Sequence, residues 1–142
     1  MREILFKAKS VYDGKWVEGY YLRDQYHIGG KDIIFYRKDS DLFTVYTNII
    51  DIETLCQFTG LADKNGKKIW ENDIVNHNGE YAPVKFGMYC SSFDYGSYNF
   101  GFYVDFPEET FYRKELGYWH RKIETAGNVF DNPELLQEES DE

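Results

Sequence analysis

Cysteine, proline and histidine are all sparse in this chain of 142 residues. Its two cysteines, Cys56 and Cys90, form no Cys-x-x-Cys motif and no disulfide framework. The start, Met1-Arg2-Glu3-Ile4, has no apolar signal core, so a cytoplasmic protein with reduced thiols is expected. No stretch reaches the roughly 20 apolar residues of a membrane span, and no membrane association is expected. His27, His77 and His120 are too far apart for the spacing that puts two imidazoles on one helical face. Gly29-Gly30 and Gly87 fall in no GxGxxG or Walker pattern, so there is no nucleotide fingerprint and no cofactor is implied.

Aromatic residues are abundant, at 19% of the chain, and most are Tyr and Phe. These are strand formers, whereas Ala and Leu are scarce, and the composition points to an all-β fold of mainly antiparallel hairpins. Asp13-Gly14, Asn65-Gly66 and Asn78-Gly79 read as two-residue hairpin turns. Strands are expected at residues 3–8, 15–22 and 33–36, with a break at Asp39-Ser40-Asp41. From Val84 the alternation is clean: Val84, Phe86, Met88 and Cys90 share one face, so Cys90 reads as a packing residue. Tyr98, Phe100, Phe102, Val104 and Phe106 repeat the rule, which makes residues 91–97 the tip of a hairpin. Trp119, Arg121 and Ile123 are expected to begin a last strand before a bend at Gly127. Asn132 as cap, Pro133 at the first helical position and the apolar Leu135 and Leu136 predict a short C-terminal helix.

The run QFTGLADKNGKKIWENDIV at residues 57–75 carries the most specific signal. Asp63-Lys64-Asn65-Gly66 is a turn in which Gly66 takes positive φ cheaply, and apolar residues flank it on both sides. With AGNVFDNPELL at 126–136 and the opening MREILFKAK, this run resembles the YopX family of small bacteriophage and prophage proteins. The family commonly has Gly at the position of Asn72 and frequently at that of Cys56; Asn tolerates a left-handed backbone and keeps the same turn. The resemblance implies no reaction, because no biochemical activity is established for the family and it offers no catalytic residues to carry over. The order Asp73-Ile74-Val75, an Asn-Gly turn, then Val84-Lys85-Phe86 is similar to a small SH3-like barrel. The alternative architecture is one continuous mixed sheet with a minor helix. The expected organisation is an N-terminal β unit over 1–48, a small barrel over 49–131 and an acidic helix or tail over 132–142.

Binding, not catalysis, is the expectation. The 91–97 tip and its flanks mix Tyr, Ser and Gly as recognition loops do, with Phe93, Tyr95 and Tyr98 as candidate partner-binding anchors. Folding back of the tip as an internal lid is the bland alternative. Six of the nine net negative charges lie in residues 131–142, which leaves −3 for the body. Lys64, Lys67 and Lys68 cluster at the signature turn as candidate phosphate contacts, although lysines at a hairpin end more often keep an edge soluble. A zinc site built from His77, Cys90 and His120 is conceivable, but residues this scattered are more often surface histidines and core thiols. Adjacent carboxylates such as Glu108-Glu109 read as solvated surface. The expected protein is therefore a phage-encoded, non-catalytic accessory protein that self-assembles or binds a host or phage protein. A nucleic-acid-associated small barrel ranks second, and an enzyme with an unrecognised site third.

Overall fold

The computed structural model describes residues 3–26, 30–90, 98–107, 111 and 113–137. Apart from one helical turn and two 3-10 turns, its regular structure is antiparallel strand. The chain divides into two compact units, residues 1–58 and 59–142.

In the first unit, β1 (Phe6–Lys9), β2 (Trp16–Asp24), β3 (Lys31–Lys38) and β4 (Asp41–Ile49) form a meander. The start of β5 (Cys56–Ala62) pairs with the free side of β1 through Phe6↔Gln57 and Lys7↔Cys56. Strand alternation aims Ala8 and Ile34 inward, where they pack with Ile50 and with Phe6, Val17, Tyr21 and Leu55. A 3-10 turn, Ile52–Thr54, is capped by Asp51, whose carboxylate accepts from the Glu53 N–H at 3.1 Å. Thr54 Oγ1 accepts from the Lys9 N–H at 2.8 Å and ties this turn to β1. The sequence reading placed a soft boundary near Asn48; the units divide instead between Phe58 and Thr59. Residues 49–58 stay with the first unit because Ile50 and Leu55 complete its core and Gln57 lies on its ladder.

Gly19 makes close approach of β2 to β3 possible, since a Cβ there would lie 2.3 Å from the Phe35 carbonyl oxygen. Gly19→Ala is expected to force the strands apart and cost about 1–3 kcal/mol, read as a lower urea midpoint.

The second unit continues β5 into β6 (Lys68–Trp70), then β7 (Asp73–His77), β8 (Glu80–Tyr89), β9 (Asn99–Val104), the single turn α1 (Leu116–Trp119) and β10 (Glu124–Asn128). One sheet has the order β10-β7-β8-β9. Its core holds Ile69, Val75, Val84, Val104, Phe106, Leu116, Trp119 and Ile123, all buried. The order is open, with β10 and β9 as edges, where the sequence pointed to a closed small barrel. Residues 80–83 of β8 pair with β7 and residues 84–89 with β9, so one strand serves two ladders in succession and closes neither.

Two local expectations are corrected. Trp119 ends α1 and does not begin a strand: its indole N–H donates to the Arg113 carbonyl at 2.8 Å, and a single helical turn buries Leu116 and Trp119 together. The last strand starts only at Glu124. Near the C-terminus a 3-10 turn, Pro133–Leu136, stands in place of the expected helix; the Asn132 side-chain Oδ1 accepts from the Asn128 N–H at 3.2 Å and makes no capping bond to the turn. Of the three marked turns, Asn78-Gly79 alone directly links adjoining strands as a two-residue turn, with φ of 51° and 90°.

Candidate protein-interaction site

The signature run is a structural device centred on Asp63, which is buried at 6% exposure. Its Oδ1 accepts from the N–H groups of Asn65 and Lys67 at 2.9 and 3.0 Å, closing the turn. Its Oδ2 accepts from the N–H and hydroxyl of Thr125 at 2.9 and 3.2 Å, which joins the turn to β10. Burial pushes the Asp63 carboxyl up, but the N–H donors of Thr125, Lys67 and Asn65 outweigh it and hold the group below its ordinary value. Asp73 does a similar task one turn later, accepting from the Trp70 N–H at 2.8 Å. Asn72 adopts φ 70°, as expected for a residue standing where glycine is common, and Ile74 is fully buried. Sequence reasoning saw the turn but not the reach of Asp63 to Thr125; an Asp opening a DKNG turn was the available signal.

Gly66 has φ 82°, with open space around the Cβ position. Gly66→Val should therefore cost about 1 kcal/mol or more through backbone strain alone, measured by chemical denaturation. Lys64, Lys67 and Lys68 are exposed beside this turn, and the Lys64 ammonium lies 3.9 Å from the Glu124 carboxylate.

The β8–β9 hairpin is different in character. Its register sets Val84 opposite Val104, then Phe86 opposite Phe102 and Met88 opposite Phe100. Along this face exposure climbs from 0% at Val84 to 46% at Phe86, 63% at Met88 and 71% at Phe100. The apolar face therefore runs out of the core without losing its character. Phe86 touches Phe102 and Phe100 at centroid distances of 4.8 and 5.1 Å, so the rings form one connected strip. Tyr98 is 75% exposed next to it. Phe93 and Tyr95, the other two expected anchors, lie outside the described residues. Cys90 was expected to be packed and is exposed, because the strip that it was to share stands away from the core at that height; both cysteines are thiols.

The opposite face of the hairpin holds its shape. Gly87 lies directly opposite Gly101, both at positive φ, and Tyr89 stacks on Tyr103 across them with centroids 4.9 Å apart. Burial and the Glu115 carboxylate raise the Tyr89 pKa. Lys85 donates to Asp105 at 2.8 Å, and that bond raises the Lys85 pKa against the effect of burial. On the outer side of β9 a bridge joins Tyr103 to Glu115. Burial pushes the Glu115 carboxyl up, yet its backbone donor and Arg113, whose Nε donates at 2.8 Å, keep it low.

His77 and His120 fall in separate settings, and His27 lies outside the described residues. The His77 ring packs edge-on against Trp119 at 5.0 Å, with Nδ1 3.1 Å from the Lys122 carbonyl oxygen. His120 Nδ1 lies 2.9 Å from the Ala62 carbonyl oxygen. Among the described residues no group of three or more His, Cys, Asp or Glu side chains is arranged to hold a metal ion. Nor is any helix among them long and apolar enough to cross a membrane.

This architecture defines a class of small all-β proteins of two antiparallel units, the second of which holds a tightly bonded turn. The model of the family described as YopX protein matches residues 5–137, and the chain belongs to the YopX family. The crystal structure of protein EF1440 from Enterococcus faecalis is similar in fold, with a TM-score of 0.50 and 20% sequence identity over 96% of this chain and 100% of that one. No curated protein matches the chain.

Proposed function

We propose that this is a non-catalytic accessory protein that works through protein–protein contacts, with a second copy of itself as the first partner and a host or phage protein as the next. The carrying observation is the aromatic strip Phe86, Met88, Phe100 and Phe102, which leaves the core uncovered. Contiguous exposed apolar surface of this kind marks an interaction site more often than a solvent face, and a two-stranded ribbon is marginal in water without a third surface. Tyr98 extends the strip toward the hairpin end. A setting in the cytoplasm of a phage-infected host follows from the family resemblance. The SH3-like kinship of the second unit belongs to the same reading and rests on β8, which passes from one ladder to the next as a bent barrel strand does. Light scattering at tens of micromolar tests the self-association; a strictly monomeric mass would overturn it. Co-purification from infected cells then separates a foreign protein partner from nucleic acid.

A further inference from the structure

We infer that β9 is the edge through which two copies of the chain join: the N–H and C=O of Phe100 pair, antiparallel, with the β9 edge of a second copy, so that two hairpins make one sheet. This rests on the reading of the hairpin as self-associating and says how the copies meet. Two hydrogen bonds fix the direction of the backbone groups. The Asp105 N–H donates inward to the Pro83 carbonyl of β8 at 2.9 Å, and the Val104 N–H donates outward to the Lys114 carbonyl at 2.8 Å. Along an antiparallel strand these directions alternate, and the register with β8 is unbroken from Val104 back to Asn99. Phe100, four residues before Val104, therefore turns its N–H and C=O away from β8. No group among the described residues meets them there. β9 ends its sheet, and the stretch that covers its outer side reaches only to the bridge between Tyr103 and Glu115, after which the chain turns into α1. The other edge is occupied, since on β10 the Thr125 N–H donates to Asp63.

Sheet edges that stay free are guarded by lysine, proline, inward charge or a bulge, and residues 99–102, Asn-Phe-Gly-Phe, have none of these. At Gly101 nothing lies within 4 Å of the Cβ position, so another backbone can come close. A second copy is the occupant because this edge is self-complementary. Each copy offers the same donor and acceptor, and a two-fold axis normal to the sheet sets the donor of one against the acceptor of the other. A net charge of −9 opposes contact between copies in general, but antiparallel pairing over residues 98–102 brings no two charges together. The same axis keeps both aromatic strips on one face, where the Phe100 and Phe102 rings of the two copies adjoin. Beyond Pro83, where β7 ends its pairing, β8 and β9 are a two-stranded ribbon; the second copy makes it four strands wide.

The test replaces the Phe100 amide by an ester in the full chain, using the matching α-hydroxy acid, which removes the N–H and keeps the ring. Sedimentation equilibrium of wild type and ester protein gives the two association constants. Thermal melting shows that the ester monomer is folded, as expected for an N–H that faces solvent in the single copy. Association should weaken about tenfold, since a two-fold pair loses two hydrogen bonds at once. In the wild type, hydrogen exchange of the Phe100 amide should slow about tenfold or more from dilute, monomeric protein to the assembled form. An ester protein that associates as tightly as wild type, or a Phe100 amide whose exchange is indifferent to concentration in a protein that does associate, would overturn the edge contact. The hairpin reading would then stand, with the strips packed face to face. A chain that stays monomeric at tens of micromolar would overturn both and leave the β9 edge to a strand of another protein.

Discussion

Asp63→Ala is expected to destabilise the protein by about 3 kcal/mol, because it removes at once the buried carboxylate that accepts from the N–H groups of Asn65, Lys67 and Thr125. Hydrogen bonds to a charged acceptor are the more costly ones to break. Asp63→Asn keeps the shape but turns an amide N–H toward donors, so it should also destabilise, by somewhat less. The pH dependence has a definite sign. A carboxyl held below its ordinary value in the folded state stabilises above the unfolded value, near pH 4, and loses that contribution as pH falls through the folded value. Urea midpoints of wild type and Asp63→Asn should therefore differ most at neutral pH and converge in acid. Equal midpoints at neutral pH would show that the turn does not depend on this carboxylate.

The second large effect concerns assembly. Placing charge on the hairpin strip, as Met88→Asp together with Phe100→Asp, should shift self-association at least tenfold toward monomer, since a buried unpaired carboxylate is heavily penalised. The folded monomer should melt within a few degrees of wild type, because both side chains are largely solvated already, at 63% and 71% exposure. Sedimentation over a concentration series gives the first quantity and calorimetry the second. An undiminished oligomer would place the contact elsewhere on the surface.

Much of the local geometry was legible in the residues themselves. The alternation of β8 and β9 pointed to the faces that the register shows, and Asn72 and Gly66 take the left-handed backbone that their turn chemistry required. Alternation tells which residues share a face but not whether anything covers it, which is why Cys90 read as packed. Trp119, Arg121 and Ile123 fitted a strand as well as a turn; the Trp119 bond to the Arg113 carbonyl selects the turn, and that partner cannot be read from periodicity. Asn132 looked like a cap until the Asn128 N–H claimed its side chain. The unit boundary depended on the pairing of Phe6 with Gln57, a contact across most of the first unit.

The bond between Asp63 and Thr125 also sets an order of events. It closes 62 residues of chain, and β7 gains β10 as a neighbour only when residues 124–128 are present. Contacts of such long range pay their loop-closure entropy before they return any stabilisation, which slows folding. On the ribosome the DKNG turn emerges first, yet the second oxygen of its carboxylate waits for a partner until Thr125 has been made. The most recognisable stretch of the sequence is thus locked only when a residue 62 positions further on has been made, and a nascent chain stalled before Thr125 would expose an incomplete second unit to proteases and to other chains.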